Sequence, residues 1–163
     1  MYILVTGGAG YIGSHTVRAL QKEKFKVVVL DNLVYGHKEI VEKILKVPLI
    51  IGDIGNKELV MKILSGQHPK TNGEKVMAVV HFAAYAYVGE SVIEPLKYYK
   101  NNVKESISFF EAIVQESLNR SNWKDETKLI PIVFSSSCST YGIPSELPII
   151  ETTEQKPINP YGK

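Results

Sequence analysis

Val5-Thr-Gly-Gly-Ala-Gly-Tyr-Ile-Gly-Ser-His15 (VTGGAGYIGSH) sets Gly7, Gly10 and Gly13 three residues apart, between a short apolar run and a segment of helical period. A strand-to-helix junction of this kind predicts a dinucleotide phosphate loop. Gly7 allows the tight turn, Gly10 lets a pyrophosphate approach the backbone, and Gly13 permits close packing of helix on strand. The helix opening near Tyr11 then aims its unpaired N–H groups and positive dipole end at the phosphates. Asp31 ends the next apolar run, where a carboxylate accepts hydrogen bonds from the adenosine ribose hydroxyls and repels a 2′-phosphate. NAD is therefore the expected cofactor rather than NADP. The alternative reading of Asp31-Asn32 is a simple turn dipeptide, which the spacing from the glycine loop disfavours. Gly52-Asp53-Ile54 offers a third marker, with Asp53 placed for the adenine amino group and Ile54 for packing on the ring. By itself Asp53 reads as well as a helix cap.

Outward from the loop, β-branched runs alternate with helical periods. Strands are predicted at Tyr2–Val5, Val27–Leu30, Leu49–Ile51, Val76–Phe82 and Ile130–Phe134. Helices are predicted at Tyr11–Lys22, with Ile12, Thr16, Ala19 and Leu20 on one face, and at Lys38–Leu45, Lys57–Leu64 and Leu96–Leu118, the longest. His68–Lys75 reads as a loop. The nearly unbroken apolar strands predict a parallel sheet covered on both faces. The fold class is α/β, a Rossmann-like doubly wound sheet of about five strands, without a sixth strand and without a C-terminal substrate domain. After Phe134 the chain is Ser- and Pro-rich, and no further helix or strand is expected.

The chain has 163 residues, 44% of them hydrophobic, and reads as one domain over residues 1–163. A net charge of +2 with interspersed signs implies neither a nucleic-acid nor a membrane partner. The four histidines lack metal-ligand spacing, so no metal is expected. The single cysteine, Cys138, excludes an internal disulfide and is expected to be a packed small residue. No secretory leader opens the chain, and the expected location is cytoplasmic. Tyr98-Tyr99 and Phe109-Phe110 read as core and groove residues rather than ligands.

The GxxGxxG loop, LDNL (30–33), HFAAYAYVGES (81–91), PLKYYKNNV (95–103), FSSSCSTYG (134–142) and PINPYGK (157–163) together resemble the extended short-chain dehydrogenase/reductases, and among them the UDP-glucose 4-epimerase family. VGES, YYKNN and SSSCSTYG carry the narrower likeness. An acidic residue or an Asp-Glu pair, usual in the Ser-rich motif of sugar-nucleotide dehydratases, is replaced here by Cys138-Ser139-Thr140. The resemblance implies that Gly7, Gly10, Tyr11, Ile12 and Gly13 hold the pyrophosphate, Asp31 and Asn32 the ribose, and Asp53 and Ile54 the adenine. Phe82, Ala83 and Ala84 would run beneath the cofactor, with Asn101 and Ser135 beside the nicotinamide. Ser137 would be the substrate-side hydroxyl and Tyr161 the tyrosine of the Y-x-x-x-K motif. Ala86 departs from the family, many of whose members carry a lysine there.

The implied function is interconversion of UDP-galactose and UDP-glucose through a 4-keto sugar with bound NAD, in galactose metabolism. The implied partners are a UDP-sugar and a second copy docked through the long helix. A phenol with a pKa of roughly 10 is a poor base at neutral pH unless a cation depresses it. The family's lysine for that purpose would be residue 165, and Lys163 has the wrong spacing. The chain as written is therefore expected to be impaired or inactive alone. Two alternatives are a UDP-pentose (UDP-xylose/UDP-arabinose) 4-epimerase and a catalytically idle NAD-binding remnant.

Overall fold

The computed structural model describes residues 1–120 and 129–163. Its element order is β1 (Tyr2–Thr6), α1 (Tyr11–Lys22), β2 (Lys26–Asp31), a wide π-type helical turn (Ile40–Leu45), β3 (Leu49–Ile51), α2 (Lys57–Leu64), β4 (Val76–His81), α3 (Val88–Ile93), α4 (Pro95–Tyr98), a second wide turn (Tyr99–Glu105), α5 (Ser106–Arg120) and β5 (Ile132–Phe134). The contacts divide the chain into two compact units. The first holds Met1–Ala83 and Glu105–Ser135, the second Ala84–Lys104 and Ser136–Lys163.

The first unit is a parallel five-stranded sheet of order β3-β2-β1-β4-β5. Alternate residues of one strand face opposite sides of a sheet, so an unbroken apolar strand supplies two cores. Leu4, Val28 and Leu30 pack with Val60, Ile63 and Leu64 of α2 and Phe109, Ala112 and Ile113 of α5. Ile3, Val5, Val27 and Val29 pack with Val17 of α1 and with Val41 and Leu45 of the first wide turn. Each of the larger aliphatic side chains so buried contributes about 1.5–3 kcal/mol. The order of strands reverses between β1 and β4, and in such sheets the ligand crevice opens beyond the carboxyl ends at that point.

Four expectations change. The buried face of α1 is Gly13, Ser14 and Val17, while Ile12 and Ala19 lie exposed. The cause is the close docking of Gly13 against the glycine turn, which rotates the helix away from its most apolar stripe. The helix expected at Lys38–Leu45 is a wide turn over Ile40–Leu45, ended by Lys46 at φ +55°. The long helix is interrupted over Tyr99–Glu105, where Asn102 spends its side-chain amide on the backbone of Tyr85. Finally, β5 is exposed at all three positions, with Val133 at 65%, although the ring of Phe134 meets Phe110 of α5.

Smaller differences follow the same logic. A short 3-10 turn (Pro69–Thr71) orders the predicted loop, and another (Cys138–Tyr141) orders the Ser-rich segment. Cys138 is exposed on that turn rather than packed. Tyr98 and Phe109 are core residues, as the sequence suggests. Among the described residues no helix is long and apolar enough to cross a membrane, and no three His, Cys, Asp or Glu residues are grouped to hold a metal ion.

Candidate functional site

The glycine turn is built by contact across the sheet. Gly7 has φ +70°, and a Cβ there would lie 2.8 Å from Ala83 N and from Phe82 C. A side chain at Gly13 would lie 2.2 Å from Gly7 O. Gly10 differs, since a Cβ there would meet only Gly7 O at 3.3 Å and would otherwise project into open space. Gly10 caps α1 with extended backbone and no side-chain hydrogen bond, so the first N–H groups of the helix remain open to a ligand. Tyr11 and Ile12 are exposed at that same end.

Asp31 is 8% exposed and links two loops. Its Oδ2 accepts from Ala9 N at 2.9 Å and its Oδ1 from Leu33 N at 2.8 Å. A carboxylate has lone pairs beyond these two for a further donor. Asn32 Oδ1 accepts from Val34 N, and its amide donates to Asp53 Oδ2 at 3.3 Å, which ties the ends of β2 and β3 together. Asp53 Oδ1 accepts from Gly55 N at 3.0 Å in a local turn, whereas Asn56 caps α2. The helix-cap reading of Asp53 is therefore replaced by a turn role. Ile54 is 5% exposed and packs in the core, so its side chain supports the end of β3 from below.

On β4, His81 stands opposite Thr6 of β1, with Nδ1 2.7 Å from Thr6 Oγ1. Ala83 N lies 3.5 Å from the same hydroxyl. The ring stacks on Phe109 and meets Phe110 and Phe134. Burial holds the imidazole down to about 4, so it is neutral and shares a hydrogen bond with the threonine hydroxyl. Because the unfolded chain protonates near pH 6.5, stability is whole above that value and is lost as pH falls toward 4. The expected loss is about 2–3 kcal/mol. Urea unfolding across this window should show the slope, and His81→Phe should flatten it. An unchanged slope in the variant would assign it to other groups. Phe82 packs against the core and donates its N–H to Thr6 O, and Ser135 donates its N–H to His81 O.

The second unit carries the remaining candidates. Asn101 donates its amide to Asn102 Oδ1 at 2.8 Å, which leaves its own Oδ1 as an acceptor. Ala84 is exposed, and Asn102 grips both the N–H and the C=O of the next residue, Tyr85. Ser137 Oγ accepts from Ser139 N at 3.2 Å, so its hydroxyl proton remains available to donate. Gly162 lies so close to this turn that a Cβ would sit 2.5 Å from Ser139 O. The Ser-rich motif and the Tyr161 segment are thus packed together. Sequence reading missed Thr6, His81, Ser91, Tyr98 and Asn102 as supporting groups, since their partners stand far away along the chain.

A parallel α/β sheet with a glycine turn at its switch point defines the class, a nucleotide-binding Rossmann-type protein. Residues 3–163 match the sequence model of the NAD dependent epimerase/dehydratase family, and the chain belongs to that family. It is 50% identical over 163 residues to a UDP-glucose 4-epimerase of Lactobacillus helveticus, covering 100% of this chain and 43% of that protein. The crystal structure of UDP-glucose 4-epimerase from Brucella ovis in complex with NAD superposes with a TM-score of 0.81 at 43% identity, over 99% of this chain and 43% of that one. That of a UDP-glucose-4-epimerase from Stenotrophomonas maltophila, with bound NAD and formylated UDP-arabinopyranose, gives a TM-score of 0.82 at 33% identity, over 99% and 44%. The chain therefore spans less than half the length of these relatives.

Proposed function

We propose that this chain is the NAD-holding portion of a UDP-sugar 4-epimerase. The observation that carries this reading is the placement of Gly7, Asp31, Asp53, Ala83 and Ser135 just beyond, or at, the carboxyl ends of β1, β2, β3, β4 and β5, on one edge of one sheet. The cradle left by Gly7, Gly10 and Gly13 fits a pyrophosphate, with Tyr11 and Ile12 supplying helix N–H groups. Asp31 and Asn32 would take the ribose, and Asp53 the adenine edge, with Ile54 beneath it. Phe82, Ala83 and Ala84 would line the floor, and Asn101 and Ser135 the nicotinamide end. The cofactor supplies reversible hydride acceptance at the sugar carbon 4. Tyr161 would remove the proton of the 4-hydroxyl and return it, with Ser137 holding the same oxygen.

UDP-glucose/UDP-galactose is the substrate pair we favour, from the similarity to the Lactobacillus helveticus protein. A pentose nucleotide is the second reading, favoured by the arabinopyranose ligand of the Stenotrophomonas maltophila structure. A homodimer is proposed through α5, where Ile107, Val114 and Leu118 are exposed along an open groove of about 450 Å³.

Calorimetric titration of the purified chain with NAD and NADP tests the cofactor reading. Tight NAD binding with weak NADP binding is expected. Asp31→Asn removes the charge and one of the two backbone-accepting oxygens, and is expected to weaken NAD about 10–100-fold and to narrow the preference over NADP. Equal affinity of the unaltered chain for both dinucleotides would overturn the assignment of Asp31.

A further inference from the structure

Ser91 and Tyr98 are assigned no role in the proposed cofactor site, yet Ser91 contacts the backbone of Tyr161 and Tyr98 its ring. Asn159 starts a helical turn in the second unit. Its Oδ1 accepts from Gly162 N at 2.8 Å, its carbonyl accepts from Lys163 N at 3.2 Å, and Pro160 fills the first helical position. A helix start leaves the N–H of its second residue without a partner inside the turn. That residue is Tyr161, and its N–H donates to Ser91 Oγ at 3.3 Å. Ser91 is 0% exposed, and its own hydroxyl donates to Val88 O at 2.6 Å, which fixes the direction of its lone pairs.

The ring of Tyr161 is held as well. Tyr98 meets it edge to face with centroids 6.5 Å apart. Tyr98 is itself locked, since its hydroxyl donates to Glu90 Oε2 at 2.7 Å and accepts from Tyr87 N at 3.1 Å. Lys97 closes on Glu90 Oε1 at 2.6 Å. One short helix, α3, therefore secures both the backbone of Tyr161 and the ring that flanks its side chain.

The geometry points to Ser91, backed by Tyr98, as the positioning residue for Tyr161. This rests on the reading of Tyr161 as the proton-transfer group. Ser91 acts through the tyrosine and not on substrate. A displacement of about 1 Å in a proton-transfer group costs on the order of a hundredfold in rate, so an anchor on the backbone of the base has catalytic consequence.

Heteronuclear NMR of the chain with Ser91→Ala and Ser91→Thr tests the inference. Ser91→Ala is expected to speed amide hydrogen exchange at Tyr161 about tenfold, the effect of one lost hydrogen bond, and to move the Tyr161 ring-carbon signal. Ser91→Thr keeps the hydroxyl and should restore both. Amides of the glycine turn should not change in either variant. Unchanged Tyr161 signals in Ser91→Ala would overturn the inference. So would a uniform loosening of residues 84–104 and 136–163, or a failure of threonine to restore the signals. Full turnover by Tyr161→Phe in protein of the relatives' length would remove the base reading alone, because the NMR signals report the anchor whatever the phenol does.

Discussion

Gly13→Ala is expected to lower NAD affinity at least about a hundredfold while the chain remains folded. The methyl group would be built 2.2 Å from Gly7 O, well inside van der Waals contact. Neither atom belongs to a flexible side chain, so relief requires α1 to move off the turn. Overpacking of this kind costs about 1–3 kcal/mol, less than the 5–15 kcal/mol of a typical domain. The fold can absorb that, but the proposed phosphate cradle cannot, because its geometry is the spacing between turn and helix. The shift also strains the contact of Gly7 with Ala83 across the switch point. Calorimetric titration with NAD, alongside circular dichroism for folding, checks the result. Gly10→Ala is the informative partner, since its Cβ meets only Gly7 O at 3.3 Å and should leave stability unchanged while obstructing the ligand. Undiminished affinity in Gly13→Ala would show that the turn is not the phosphate site.

Tyr161→Phe, assayed with UDP-glucose in protein of the relatives' full length, is expected to lower turnover about a thousandfold, within the range for loss of a general base. The substitution removes one oxygen and retains the ring, so the edge-to-face contact with Tyr98 survives. The backbone N–H to Ser91 is also untouched. NAD affinity should hold within about twofold, because the cradle is formed by other residues. A loss of turnover together with a loss of NAD would show a structural rather than a chemical role. Retained turnover would move the proton-transfer function elsewhere, with Ser137 the first residue to replace.

Local pattern was enough to place most elements. The limits of α1, β3 and α2 read from the sequence are those observed, and the other strands differ only by a residue or two at their ends. The reason is that apolar period and the junction residues act within a few positions of themselves. The glycine turn was legible for the same reason, as were Asp31 at the end of β2 and Asp53 beyond β3. The face that α1 buries was not, because it depends on how near a backbone one helix turn away from Gly10 can approach Gly7. Nor was the interruption over Tyr99–Glu105, which lies where Asn102 bonds the backbone of the distant Tyr85.

The amino-acid sequence by itself determined that this is a parallel α/β chain with a glycine turn after its first strand and motifs of the NAD dependent epimerase/dehydratase family. Only the tertiary structure decided that Thr6 meets His81, that Asp31 holds the turn through Ala9, and that Ser91 receives the N–H of Tyr161. These pairs join residues 75, 22 and 70 positions apart, and side-chain periodicity carries no information about which distant polar atoms will meet. That is set by the order of strands in the sheet and by the need of each buried polar atom for a partner.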